Sequence, residues 1–322
     1  MIPERYEAYE QVVTLGVVNF TSVRGDVAAT LAKVEANIVE AARQGVDIVA
    51  FPEEALVGLG GCDACRQGAD HCDYHHDLAE TVPGPSTERV AALCAEHDIY
   101  VALGMVERDP ADPEILYNAV AFVGPDGIQG TYRKIHLGSL PWVTEGVTFA
   151  PGSELPVFDT RFGPVGIQIC YDFWFNPELT RILALKGARI ILNCCGTFAG
   201  PGKRDYMVQT TATRAQENLC YVASANHVGG ERSADSYSAG HLDEGRAADM
   251  LGHSTIAGPA FPRFSQVLAE AGDTEELVSA TVSFEKLHRW EPIFPWREWR
   301  AGRQSGVSAL IAEEFEKLAH GA

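Results

Sequence analysis

Apolar and polar positions along the chain alternate in a repeating order of strand and helix. Val12 to Asn19 reads as a β-strand, after which Val27, Leu31, Val34, Ile38 and Ala42 recur at three and four residues until Gly45. That spacing predicts a helix with one apolar face. Asp47-Ile-Val-Ala-Phe51 predicts a buried strand, Ser86 to His97 a helix and Ile99 to Val106 a strand. Asn118 to Val123 and Ile128 to Tyr132 flank the turn Pro125-Asp-Gly127 and predict a hairpin. Val165, Ile167 and Ile169 alternate up to Cys170, Pro177 suits a first helical turn, and Leu179, Ile182, Leu183 and Lys186 keep helical spacing until Gly187. A strand at Ile190 to Asn193, a helix from about Asp205 to Asn218 and a strand at Cys220 to Asn226 follow. Short β pieces near Ser254 to Ala257, Phe264 to Leu268 and Leu277 to Val282 precede a C-terminal helix near Val307 to Leu318. This order predicts an α/β protein with a mixed sheet covered by helices. No linker rich in Pro, Gly or Ser divides the chain, so residues 1–322 read as one domain with a C-terminal extension from about 285. Gly229 to Gly252 reads as a surface loop, a lid or an oligomer contact.

Composition narrows the function classes. A chain of 322 residues with 46% hydrophobic residues can bury a large core. Its 44 acidic against 25 basic residues, net -19, disfavour a nucleic-acid or anionic-membrane partner. The first twenty residues carry Glu4, Glu7 and Glu10 and neither a basic start nor a long apolar run, so the expectation is a cytoplasmic protein with no membrane span. Eight cysteines in that setting predict reduced thiols, with catalysis or metal binding as special cases.

Three reactive groups end strands or lie just beyond them: Glu53 after Asp47 to Phe51, Lys134 after Ile128 to Tyr132, and Cys170 after Val165 to Ile169. Strand ends of parallel α/β sheets face a crevice, where a thiol can be activated. A carboxylate that takes the thiol proton, a thiolate that attacks a carbonyl and an ammonium that holds the oxyanion suffice for acyl transfer. A solvated turn glutamate, a solvated Arg-Lys pair and an inert core cysteine are the plainer readings of each residue alone.

Several segments, taken in order, resemble the nitrilase superfamily of carbon-nitrogen hydrolases. They are Phe51-Pro-Glu53, Tyr132-Arg-Lys-Ile-His-Leu137, Glu145 with Phe149-Ala-Pro-Gly152, Ile169-Cys-Tyr-Asp172 with Pro177-Glu178 and Lys186-Gly-Ala188, and Arg214-Ala-Gln-Glu-Asn218 with Tyr221, Asn226 and Gly229. The resemblance implies a four-layer α-β-β-α sandwich, paired as a homodimer or higher homo-oligomer, and a small amide or N-carbamoyl substrate. It implies Cys170 as nucleophile, Glu53 as general base, Lys134 with the Tyr171 backbone N–H at the oxyanion, and Glu145 as a second carboxylate orienting substrate nitrogen or Lys134. Tyr171-Asp172 after the nucleophile is similar to the amidase and carbamoylase branches, whereas true nitrilases carry Trp-Glu. A nitrilase, or a non-catalytic scaffold on the same fold, is the alternative. Phe173-Trp-Phe-Asn176 stands where many amidases place an arginine for a substrate carboxylate, so Tyr171, Phe173, Trp174 and Asn193 are expected to line an apolar acyl site.

One stretch falls outside that pattern. Cys62-Asp-Ala-Cys65-Arg-Gln-Gly-Ala-Asp-His71-Cys72-Asp-Tyr-His75-His76 holds a C-x-x-C pair, and Cys72 with His75 or His76 could complete four tetrahedral zinc ligands. The usual paired-knuckle spacing is absent from it, and a polar wall of the active-site mouth is the competing reading. The catalytic residues require no cofactor, so zinc here is expected to be structural. No papain-like, zinc-deaminase or glutamine-amidotransferase motif surrounds Cys170.

Overall fold

The computed structural model describes residues 2–59, 72–140, 143–229, 250–295 and 305–319. Two six-stranded sheets form its centre. In the first, Val12–Asn19, Ile48–Ala50 and Tyr100–Arg108 run parallel, with Glu276–Ser283 antiparallel on one side and Leu116–Gly124 and Gly127–Arg133 on the other. In the second, Tyr221–Asn226, Ile190–Cys195 and Val165–Ile169 run parallel between antiparallel Thr255–Ala257 with Val267–Glu270 and the short Val157–Phe158. The sheets therefore repeat one plan.

Alternating strands and helices predicted a single mixed sheet, and the molecule has two, with central strands buried on both faces. Every residue of Val165–Ile169, Ile190–Cys195 and Tyr221–Asn226 is buried. One apolar cluster runs from Leu15, Val17 and Ile48 of the first sheet through Ile167 and Ile169 of the second to Leu183 and Met207 in helices over it. Another joins Val49, Val101 and Leu103 to Val34, Ile38 and Val90 on the helices Val27–Arg43 and Pro85–His97. Each such side chain contributes roughly 1.5–3 kcal/mol when taken fully from water. Helices thus cover both outer faces, which gives the four-layer α-β-β-α sandwich.

Three short helices, Tyr171–Trp174, Asp73–Leu78 and Phe284–His288, escape the periodicity because they are too short to show one. Tyr171–Trp174 is a single turn directly after Cys170, and Asp73–Leu78 lies inside the Cys/His-rich stretch. Of that stretch, Cys62, Cys65 and His71 lie outside the described residues, as does most of the Gly229 to Gly252 loop. Among the described residues no helix is long and apolar enough to cross a membrane.

Candidate active site

The first sheet supplies the charged groups. Ile48–Ala50 leads through Phe51-Pro52 into a turn that carries Glu53, and Gly127–Arg133 delivers Lys134 as the first residue past its end. A Cβ at Gly104 would collide with the Pro52 carbonyl oxygen, so the neighbouring strand needs glycine there to let this turn approach. Both functional side chains are 2% exposed. Lys134 Nζ donates to Glu53 Oε1 at 2.6 Å and to Glu145 Oε1 at 2.7 Å. Asn118 Nδ2 adds contacts to Glu53 Oε1 at 2.9 Å and to Glu54 Oε1 and Glu145 Oε1 at 3.3 Å. Carboxylate oxygens of Glu53, Glu54 and Glu145 come within 4.8 Å of one another, a set that requires a cation, and the Lys134 ammonium is one.

The second sheet supplies the thiol. The Cys170 N–H extends the ladder one step by donating to the Cys194 carbonyl at 3.1 Å, and its own carbonyl accepts from the N–H groups of Phe173 and Trp174 at 2.9 Å. Cys170 therefore ends a strand and caps a helical turn at once. It does so with φ 46° and ψ -102°, a left-handed setting that costs a non-glycine residue on the order of 1–3 kcal/mol. The same sheet reaches across to Glu53: Gly196 N–H donates to Glu53 Oε2 at 3.0 Å, and a His227 ring nitrogen meets the Glu53 carbonyl oxygen at 2.6 Å. Asp172, fully buried, accepts from the Tyr132 hydroxyl at 2.7 Å and the N–H groups of Ile135 and His136 at 3.1 and 2.7 Å. It ties the turn after Cys170 to the segment that carries Lys134.

Electrostatics follow from this packing. Burial, reinforced by the charges of Glu145 and Glu54 and opposed by Lys134, pushes the Glu53 carboxyl up to about 7. Burial works against the Lys134 ammonium, yet Glu145 and Glu53 outweigh it and hold the group well above the usual lysine range. Burial and the Glu53 charge push the Cys170 thiol up, with Lys134 and the Gly196 N–H pulling the other way. The resting thiol therefore keeps its proton, held there by burial and by the Glu53 charge.

Beyond the thiol stands an aromatic wall. The Tyr171 ring lies 5.5 Å from Lys134 Nζ and 4.9 Å from the Phe175 ring, and Trp174 lies 5.7 Å from Tyr206. Two residues expected to line the acyl site do not reach it. Phe173 is fully buried under Arg214, whose guanidinium is 6.0 Å from its ring. Asn193 is also fully buried, and its Nδ2 donates to Ser224 Oγ at 3.1 Å, which in turn meets Thr211 of the helix Lys203–Asn218 at 2.9 Å. Strand alternation turns Asn193 to the outer helices, two residues before the end of its strand.

Glu54, which the sequence reading did not single out, begins a second buried array. His75 Nε2 lies 3.3 Å from Glu54 Oε2, and Cys72 Sγ lies 3.0 Å from His75 Nδ1. Glu54 has φ 48°, and this left-handed turn lets consecutive glutamates serve different partners. Asn118 was missed as well, although a lone polar residue in the apolar run Leu116 to Gly124 is a legible signal. Gly196 acts through its backbone N–H and His227 through a ring nitrogen that meets a backbone carbonyl, and neither carried a signal.

Comparison with known proteins agrees with this geometry. The sequence model of the carbon-nitrogen hydrolase family matches residues 14–292. The omega-amidase NIT2 of Xenopus tropicalis is 32% identical over 272 residues, 82% of this chain and 86% of that protein. A nitrilase of Pyrococcus abyssi is 34% identical over 248 residues, 76% of this chain and 80% of that protein. Saccharomyces cerevisiae Nit3, a member of branch 10 of the nitrilase superfamily, superposes with a TM-score of 0.72 at 22% identity, covering 90% of this chain and 96% of its own. A sandwich of this plan, with Glu53, Lys134 and Cys170 drawn from its two sheets to one edge, and a family match over most of its length make this chain a carbon-nitrogen hydrolase of the nitrilase superfamily.

Proposed function

We propose that this hydrolase cleaves the C–N bond of a small amide or N-carbamoyl compound, with Cys170 as nucleophile, Glu53 as general base and acid, and Lys134 as oxyanion donor. The observation that carries the reading is a buried ammonium bridging two carboxylates at 2.6 and 2.7 Å beside a thiol at a strained strand end. Glu53 takes the thiol proton as sulfur attacks the carbonyl carbon. The oxyanion is met by Lys134 and by the Tyr171 N–H, which as first residue of a helical turn has no carbonyl within that turn to donate to. Glu53 returns the proton to the departing nitrogen, the C–N bond breaks, and a thioester remains on Cys170. Water then gives a proton to Glu53, attacks the thioester and frees the thiol. Glu145 and Asn118 hold Lys134 and Glu53 in place. The omega-amidase relatives support an amide substrate, and Tyr171-Asp172 after the nucleophile supports it independently. Trp174 and Tyr171 flank the acyl group in this reading. A cytoplasmic homo-oligomer fits the acidic composition and the exposed Phe175, Ile182 and Leu185.

Ammonia release from neutral, aromatic, cationic and carboxylated amides, N-carbamoyl amines and matching nitriles, on wild type and Cys170→Ala, tests the reading. Amide or carbamoyl turnover that vanishes in the variant is expected. Turnover of nitriles alone, or turnover that survives the substitution, would overturn it.

A further inference from the structure

The single turn Tyr171–Trp174 carries the backbone on which the site depends, since Cys170 enters it at φ 46° and Tyr171 is its first residue. A helix this short leaves its last carbonyls without helical donors, so each must be met from elsewhere. The Cys170 carbonyl accepts from the N–H groups of Phe173 and Trp174, and the Tyr171 carbonyl from the Phe175 N–H and Asn176 Nδ2. The Asp172 carbonyl accepts from Gln168 Nε2 at 2.9 Å, and Gln168 is itself held by the Thr180 hydroxyl. The last two carbonyls, those of Phe173 and Trp174, accept from one side chain: Arg214, through Nε and Nη2, each at 3.3 Å.

Arg214 reaches the turn from the helix Lys203–Asn218, and its side chain is 11% exposed. Its Nη1 donates to Glu217 Oε1 at 3.2 Å, its guanidinium lies 6.0 Å from the Phe173 ring, and its own carbonyl accepts from Asn218 Nδ2 at 2.8 Å. The planar fork is therefore fixed from several sides, and an ammonium, a point charge without paired donors, does not reproduce it. A cation at the C-terminal end of the turn also complements the dipoles of its peptide groups.

A residue with φ 46° persists only where its surroundings over-determine it. On one side Asp172 ties the turn to the segment that carries Lys134. On the other side Gln168 and Arg214 hold its carbonyls. We propose that Arg214 is a positioning residue for acyl transfer: by capping the Phe173 and Trp174 carbonyls it keeps Cys170 in its strained setting and the Tyr171 N–H aimed at the oxyanion. This rests on the reading of Cys170 as nucleophile given above. Arg214 touches neither sulfur nor substrate in this account, and its effect travels through the turn. Loosening the turn misplaces the attacking sulfur and the oxyanion donor, which is felt in the transition state more than in substrate binding.

The test compares wild type, Cys170→Ala, Arg214→Lys and Arg214→Ala on the best amide substrate, at a temperature where each is folded, with thermal midpoints measured alongside. Arg214→Ala should lower kcat by about 10²-fold and leave KM within about threefold. Arg214→Lys, which can serve only one carbonyl, should lose about tenfold in kcat at the same KM. Ethylguanidine in solution should refill the fork and raise kcat of Arg214→Ala by at least about fivefold, and ethylammonium should not. A kcat of Arg214→Ala within about threefold of wild type, or a loss repaired by neither cation or by both equally, would overturn the proposal. If Arg214→Ala fails to fold, Arg214→Lys decides: its kcat loss at unchanged KM supports the clamp and a wild-type kcat ends it. Turnover that persists in Cys170→Ala would sink the nucleophile and the clamp together, whereas a silent Cys170→Ala beside a fully active Arg214→Lys would sink the clamp alone.

Discussion

Glu53 and Glu54 are consecutive, equally buried carboxylates, and each stands against a basic side chain with a cysteine nearby. Glu53 meets the Lys134 ammonium at 2.6 Å beside Cys170, while Glu54 meets the His75 imidazole at 3.3 Å with Cys72 behind it. The two arrays share Asn118, whose amide touches both glutamates. What separates them is where each thiol stands. Cys170 ends a parallel strand at a sheet edge in a left-handed conformation, with an aromatic wall next to it. Cys72 is the buried residue ahead of a short helix, beside His75, whose ring meets Phe149. Similar groups thus stand in two different settings, and under the proposed function the strand-end position and backbone strain of Cys170 suit acyl transfer, while the buried Cys72 array suits anchoring.

The largest expected effect that sharpens this contrast is Cys170→Ala. It should lower kcat on the best amide by about 10⁴-fold or more while leaving the thermal midpoint within a few degrees, because the thiol is small and its neighbours stay paired. Cys72→Ala should instead lower the midpoint and spare kcat; equal kinetic losses in both would erase the distinction. Next is Glu53→Gln, which removes the proton acceptor and should cost about 10²–10⁴-fold in kcat. In the wild type, activity should fall as pH drops through about 7, because burial and two neighbouring carboxylates raise Glu53 to that value and the protonated form cannot accept the thiol proton. The midpoint belongs to the whole carboxylate cluster. The same shift bears on stability. The folded state binds this proton more tightly than the unfolded chain, with its ordinary value of 4.5, so the stabilisation is complete below that value and is lost as pH rises through about 7. A pH profile of kcat/KM without an acid limb there would remove Glu53 as base. Asn118→Leu comes third: it withdraws a donor from the Glu53 carboxylate, so the acid limb should move upward and kcat fall by roughly tenfold.

Much of the first array was legible in the sequence. Glu53, Lys134 and Cys170 each follow a strand whose apolar pattern could be read, and strand ends gather at a sheet edge whatever the details of the fold. Glu145 was reached only through the family resemblance. The second array was legible as composition and not as geometry, since nothing in Cys72-Asp-Tyr-His75-His76 tells which histidine turns inward. The difference is physical. Strand periodicity of two and helix periodicity of 3.6 report which face is buried over many residues, whereas a single turn such as Tyr171–Trp174 or a left-handed Glu54 is decided by tertiary contacts. Asn193 shows the cost of reading position without face. It lies near the right sheet edge and points to the wrong side, toward Ser224 and Thr211.

The smallest effect is the most informative about the pair. Glu54→Gln and Glu53→Gln are the same exchange of one oxygen for an amide nitrogen at adjacent, equally buried positions. In Glu54→Gln the side chain can keep its place 3.3 Å from His75 Nε2, and one negative charge leaves a crowded cluster, which offsets part of the lost attraction to the imidazole. The expected outcome is a change of about 1 kcal/mol in stability, a thermal midpoint moved by roughly 2–4 °C, and kcat within about threefold of wild type. Removing the Glu54 charge should also let Glu53 ionise more readily, so the acid limb should move downward, opposite to Asn118→Leu. Side-by-side pH profiles of the two glutamine variants check this. If Glu54→Gln lost as much kcat as Glu53→Gln, the two carboxylates would be acting as one proton-accepting unit, and the division between a reactive and an anchoring array would fail.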